Sequence, residues 1–157
     1  MLRKYIFTLL FFSYPVLASD LPNELFDIQL MSNISALKGE ANKGKGVVRI
    51  KGVAYRYYSA DENHYRTNGK FESIIVQARE DTGIITSIIG ETKIAKDECL
   101  EAIDKYHDEV EKQFSIKFSE RNNNPYYLLA EGNKVLMLAC ELKRNSSYKI
   151  ILAEMRE

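Results

Sequence analysis

Residues able to do chemistry are sparse in this chain, and no catalytic spacing joins them. The histidines are His64 and His107, and the cysteines are Cys99 and Cys140. His107 lies eight residues beyond Cys99, about 12 Å along a helix axis, too far to act as its base. There is no His-Glu-x-x-His, no Cys-x-x-Cys and no regular acidic calcium loop. There is also no Gly-x-Ser-x-Gly elbow. Asp61, Glu62 and His64 could offer metal ligands from one loop, but near-adjacent residues rarely complete a coordination shell. A solvated polar loop is the better reading. No metal and no cofactor is expected, and neither is an enzyme.

One constellation stands out. Residues 55–66 gather Tyr55, Tyr57, Tyr58 and Tyr65 with Arg56, Arg66 and His64. Tyrosine and arginine are enriched at binding hot spots, because they join large, stiff contact area to directional hydrogen bonds. Tyrosine also suits stacking on sugar rings. Against this, tyrosine has high strand propensity and needs no function to sit in a sheet. The expected binding residues are Tyr55, Tyr57, Tyr58, His64, Tyr65 and Arg66. The polar stretch from Asn122 to Tyr127 is a weaker candidate.

The start of the chain bears on compartment. Arg3 and Lys4 precede an apolar run from Tyr5 to Phe12, and Val16 and Ala18 supply small residues around Leu17. That pattern reads as a cleaved secretory signal over residues 1–18. The apolar run is short for a bilayer span, and Ser13 and Pro15 follow it. A periplasmic or secreted protein is therefore expected, not an integral membrane one. Removing 18 residues from 157 leaves 139, the size of a single domain. Two of the 22 basic residues fall in the signal, which leaves 20 against 22 acidic, a net charge of −2. Such a balance offers nothing to neutralise phosphates and argues against nucleic acid. Export favours a Cys99–Cys140 disulfide over a reactive thiol. The sequons at Asn33 and Asn145 would matter only in a eukaryotic secretory route.

The elements that must position these residues come from periodicity. Cys99, Ile103, Tyr106, Val110 and Phe114 recur at helical steps within residues 97–114, with Asp97 a candidate N-cap. Leu25 to Leu30 is read as an extended piece, and Asn33 to Lys38 as helical turns ending at Gly39. Glu40 to Gly46 reads as a flexible connector. Its glycines lack the rest of a phosphate loop. Val47 to Tyr58 reads as one strand whose apolar parity flips at Gly52, the mark of a β-bulge. Strands follow at 71–79 and 84–94 around Asp81-Thr82-Gly83. A short strand is expected at 115–119. A meander follows at 126–130, 134–144 and 148–155, turning at Gly132-Asn133 and Asn145-Ser146-Ser147.

The expected fold is α+β: a mostly antiparallel sheet in β-β-β-α-β-β-β order, with one long helix packed on one face. The domain is placed at residues 47–157, after an N-terminal segment and connector at 19–46. Leu136, Leu138, Cys140 and Leu142 should face the helix. Val135, Met137 and Ala139 point the other way and need cover from the N-terminal segment, a curled sheet or a partner. The leading functional reading is a small exported, non-catalytic interaction module, an inhibitor, immunity-type or envelope accessory factor. It would bind a protein partner in the envelope or outside the cell through the Tyr/Arg loop. The alternative is an envelope-glycan or small-ligand domain using the same tyrosines. A hydrolase of unrecognised class, with His64 against a buried carboxylate, is a third, and a homo-oligomer is possible.

Overall fold

Strand parity decides which side chains reach the core, and it does so across one large sheet. The structure is a computed structural model that describes residues 21–67, 69–142 and 146–155. The signal expected at 1–18, Asn68 and the Asn145 turn lie outside the described residues. A small ribbon, β1 (Glu24–Leu25) and β2 (Ile28–Gln29), opens the chain. Then come β3 (Asn42–Ile50), β4 (Val53–Ala60), β5 (Ser73–Arg79) and β6 (Ile85–Lys93). The helix α1 (Cys99–Phe114) precedes β7 (Tyr126–Glu131), β8 (Lys134–Glu141) and β9 (Ser147–Glu154).

The long strands form a seven-stranded antiparallel sheet in the order β3-β4-β5-β6-β9-β8-β7. The class is α+β, with one α-helix among the described residues, as the periodicity predicts. Every neighbour but one is a chain-adjacent hairpin. The exception is β6 beside β9. The helix therefore carries the chain over β9 and β8 to the far edge, and it packs on those two strands.

Core and face follow from this. Cys99, Ile103 and Val110 of α1 are fully buried against Ile74, Val76, Ile88, Leu136, Leu138, Ile150 and Leu152. Leu21, Leu25, Ile28 and Leu30 of the N-terminal segment join the same cluster. The segment thus covers the helix side of the sheet, beside α1. Cys99 and Cys140 are bonded, with Cα atoms 5.9 Å apart, which pins the first turn of α1 to β8.

Phe71 links the two covering layers. Its ring lies 5.2 Å from Phe26, 5.6 Å from Tyr106 and 5.5 Å from Tyr148, all edge-on. Phe26 reaches the sheet because position 90 has no side chain. A Cβ on Gly90 would stand 2.4 Å from Phe26 Cζ and 2.9 Å from Phe71 Cγ.

Several local expectations need correction. The parity flip at Gly52 is a hairpin turn, not a bulge. Lys51 (φ 49°) and Gly52 (φ 83°) are both left-handed, and Ile50 pairs with Val53. The single strand is therefore two, and four strands of the large sheet precede α1. Asn42 to Gly46, read as connector, belongs to β3, whose register shifts between Lys43 and Val47. Residues 115–119 form no strand. Ser115 ends the helix in the left-handed region, and Ile116 and Phe118 drop into the core. Asp97 is not the cap: Glu98 holds that position without a capping side chain. Leu142 lies beyond β8 and is exposed.

Two outcomes test this layering. Removing the disulfide as Cys99→Ala with Cys140→Ala should cost about 4 kcal/mol for a loop of this length, or roughly 10 °C in melting temperature. Calorimetry of the two proteins reads it, and equal melting temperatures would remove the staple from the fold's support. Gly90→Ala should cost about 2 kcal/mol by overpacking. Urea titration should find much less than that added when Phe26→Ala is already present.

Candidate binding face

Side chains directly opposite in an antiparallel pair share a face. Following the register across the sheet, Leu128 faces Met137, Met137 faces Ile151, Ile151 faces Ile89 and Ile89 faces Ile75. One apolar row thus crosses five strands on the side away from α1. A second row runs Ala130, Val135, Ala153, Ser87, Gln77 and Tyr57. None of the apolar residues of these rows belongs to the buried core. The helix, the N-terminal segment and residues 116–118 all contribute to the core on the opposite side. Val135, Met137 and Ala139 therefore receive no cover from residues 21–46, the described part of the N-terminal segment. Leu128 is 38% exposed and Tyr126, beside it on the same strand and face, 37%.

The face ends in charge. Lys149 Nζ lies 3.3 Å from Glu91 Oε1 and also bonds Glu141. Ser147 Oγ donates to Glu91 Oε1 at 2.8 Å. Burial works against the Lys149 ammonium, but the Glu141 hydrogen bond and the charge of Glu91 outweigh it and raise its pKa. A recess of about 420 Å³, lined by Glu72, Ser73, Glu91, Lys93 and Ser147, opens at this end.

The six residues singled out from sequence do not form one surface. Strand alternation splits them. Tyr55 and Tyr57 point to the open face, Tyr57 exposed at 38% and Tyr55 buried at 6%. Tyr58 points to the helix side and packs half-buried against the core. Arg56, on that side too, bonds Glu80 and donates to the Gly44 carbonyl at 2.8 Å. Tyr65 is buried, and its hydroxyl bonds both the N–H and the carbonyl of Lys38. It anchors the N-terminal segment. His64 is exposed, with Nδ1 3.0 Å from Asp61 Oδ2 in a surface turn. Arg66 is 85% exposed and stands 3.6 Å from Asp27. It lines a cleft of about 280 Å³ with Glu24, Asp27, Tyr106 and Phe114. Leu128, Ile151, Ile89 and Ile75 went unnoticed as surface residues, because register across five strands is needed to align them with Met137.

His107 belongs to a separate cluster. It stacks on Tyr127 at 4.1 Å between ring centroids, with Nδ1 3.1 Å from Asp108 and Nε2 3.2 Å from Glu111. Those three residues bring ligand atoms within 4.8 Å of one another. Yet Glu111 already accepts from Lys117 and from the Phe118 N–H. Burial raises its pKa, but these two donors hold it below the usual range. Asp104 accepts from Arg121 and Tyr127 nearby. The arrangement ties residues 117–127 to the helix.

Comparison with models of protein families, with curated proteins and with solved structures finds no match. Among the described residues no helix is long and apolar enough to cross a membrane. The disulfide is compatible with an oxidising compartment.

The cleft yields an alkaline test. Burial, with a smaller contribution from Tyr148, pushes the Tyr106 hydroxyl up to about 12. An unfolded tyrosine ionises near pH 10, so the folded state should lose this support as pH rises from about 10 through about 12. Melting temperature followed in small pH steps should fall across that window, and Tyr106→Phe should flatten the fall. An undiminished slope would assign it to other groups.

Proposed function

We propose that this chain is a non-catalytic protein-binding module, exported as its first residues suggest, and that its partner docks on the open face of the sheet. The observation that carries the reading is the apolar row from Leu128 to Ile75, left outside the core. Its residue types support a protein partner. Met137, Tyr126 and Tyr57 are of the kinds enriched at interfaces, and the charged residues lie toward the two ends of the face, where Lys149 bonds Glu141 and Arg79 bonds Asp81. The partner would be a folded protein with an apolar, nearly uncharged surface. The Tyr/Arg stretch contributes to this face only through Tyr55 and Tyr57. Arg66 faces the cleft on the other side.

Met137→Lys and Leu128→Lys place charge in the row without touching the core. Immobilised full-length chain should retain a partner that both variants lose. Hydrogen exchange in the complex should then show new protection confined to the five strands of the row, β5, β6, β7, β8 and β9, and the adjoining part of β4. Retention by both variants, or protection elsewhere, would overturn the face. Size exclusion at several concentrations identifies a second copy of this chain as the partner if assembly occurs and the same substitutions dissolve it.

A further inference from the structure

The tip of the β3–β4 hairpin has no part in the core, and the hairpin carries an unusual charge. Residues 41–58 hold five of the chain's 22 basic residues, Lys43, Lys45, Arg49, Lys51 and Arg56, and none of its 22 acidic ones. A chain neutral overall is therefore strongly basic at one end of its sheet. Glu80 offsets one of the five, Arg56, and Asp81 is engaged by Arg79, so Lys43, Lys45, Arg49 and Lys51 remain in excess. β3 is the outermost strand, pairs only with β4 among the described residues, and is exposed along nearly its whole length. At its tip the apolar residues are exposed too: Val47 at 37%, Val48 at 40% and Ile50 at 36%. They are not on one side. Val47 shares a face with Arg56, whereas Val48 and Ile50 share the opposite face with Tyr55 and Val53. A Cβ added at Gly46 or Gly52 would meet nothing within 4 Å, so the space around the tip is open.

We propose that the tip of this hairpin docks on an anionic lipid surface. Val47, Val48 and Ile50 would enter the headgroup region while Lys43, Lys45, Arg49 and Lys51 meet lipid phosphates. Three considerations favour lipid over an acidic protein. A rigid protein surface buries one side of a hairpin and leaves the other wet, but a lipid interface surrounds both sides. Val47 to Ile50 spans about 10 Å along the strand, which matches the depth of interfacial insertion. Lysine and arginine interleaved with the apolar residues can keep their charges at the headgroups while their stems lie alongside the valines. This surface is separate from the partner row centred on Met137, and its failure would leave that row's reading intact.

The test is co-sedimentation of full-length chain with vesicles of phosphatidylcholine alone and of phosphatidylcholine with about one-third phosphatidylglycerol. Whatever residues 1–20 contribute is common to every protein compared. Two variants accompany the wild type: Lys45→Gln with Lys51→Gln, and Val48→Ser with Ile50→Ser. All four positions are exposed, and unchanged melting temperatures confirm folding. Wild type should bind the anionic vesicles at low salt, lose binding as salt rises, and bind neutral vesicles at least tenfold more weakly. Each variant should lose at least tenfold on anionic vesicles. Equal binding by all three proteins, no anionic preference, or no binding by wild type would overturn the proposal. So would capture of an acidic protein through Lys45 and Lys51 without vesicle binding.

Discussion

The bond between Cys99 and Cys140 decides which side of the sheet is inside. It joins the first turn of α1 to the strand that α1 must cross on its way from β6 to the far edge. With that end pinned, Ile103 and Val110 have only one face on which to bury. Leu136, Leu138, Ile150 and Leu152 then become interior, and their alternate neighbours, Val135, Met137, Ile151 and Ala153, face outward. The N-terminal segment reinforces the choice. Its leucines add to the same side, and Phe26 reaches the sheet over Gly90. Two coverings on one face, against a row of apolar residues outside the core on the other, is the central asymmetry of the molecule.

Most of the framework was legible in the sequence because it depends on local period. The helix showed in the spacing of Cys99, Ile103 and Val110. The β7–β8 turn showed in Gly132-Asn133, and the cysteine pair followed from there being only two. What failed was turn chemistry and register. A Lys51-Gly52 turn lacks the asparagine or aspartate that marks a two-residue hairpin, so a reversal of chain direction looked like a slip of parity. Ile116 and Phe118 alternate like a strand, but no strand ladder forms along them: their N–H groups turn back to Glu111, and they are pegs set into the core after the helix ends.

The candidate surface was only half legible for a related reason. Composition gathers Tyr55, Tyr57 and Tyr58 into one cluster, but a strand sends alternate residues to opposite sides. Tyr58 became core, Tyr65 became an anchor for Lys38, and Arg56 became a brace between Glu80 and Gly44. Each has a structural use that composition cannot reveal. The outward facing of Met137 was visible within its own strand, but its alignment with Ile89 and Ile75 depends on β9 lying beside β6. No local signal encodes that pairing.

That pairing also sets a clock. β3 to β6 can form from successive hairpins, and so can β7 to β9, because each pair is adjacent in the chain and most of the connections are short, residues 61–72 between β4 and β5 being the longest. The two halves join only through β6 and β9, which the helix and two further strands separate in sequence. Loop-closure entropy makes such a contact slow relative to the hairpins. Until it forms, β6 presents a bare edge from Ser87 to Lys93, along which Ser87 and Ile88 are buried in the finished fold. An unpaired apolar edge invites pairing with another chain. In an oxidising compartment the thiols of Cys99 and Cys140 can close the ring that holds the halves together, shortening the time that edge stands open.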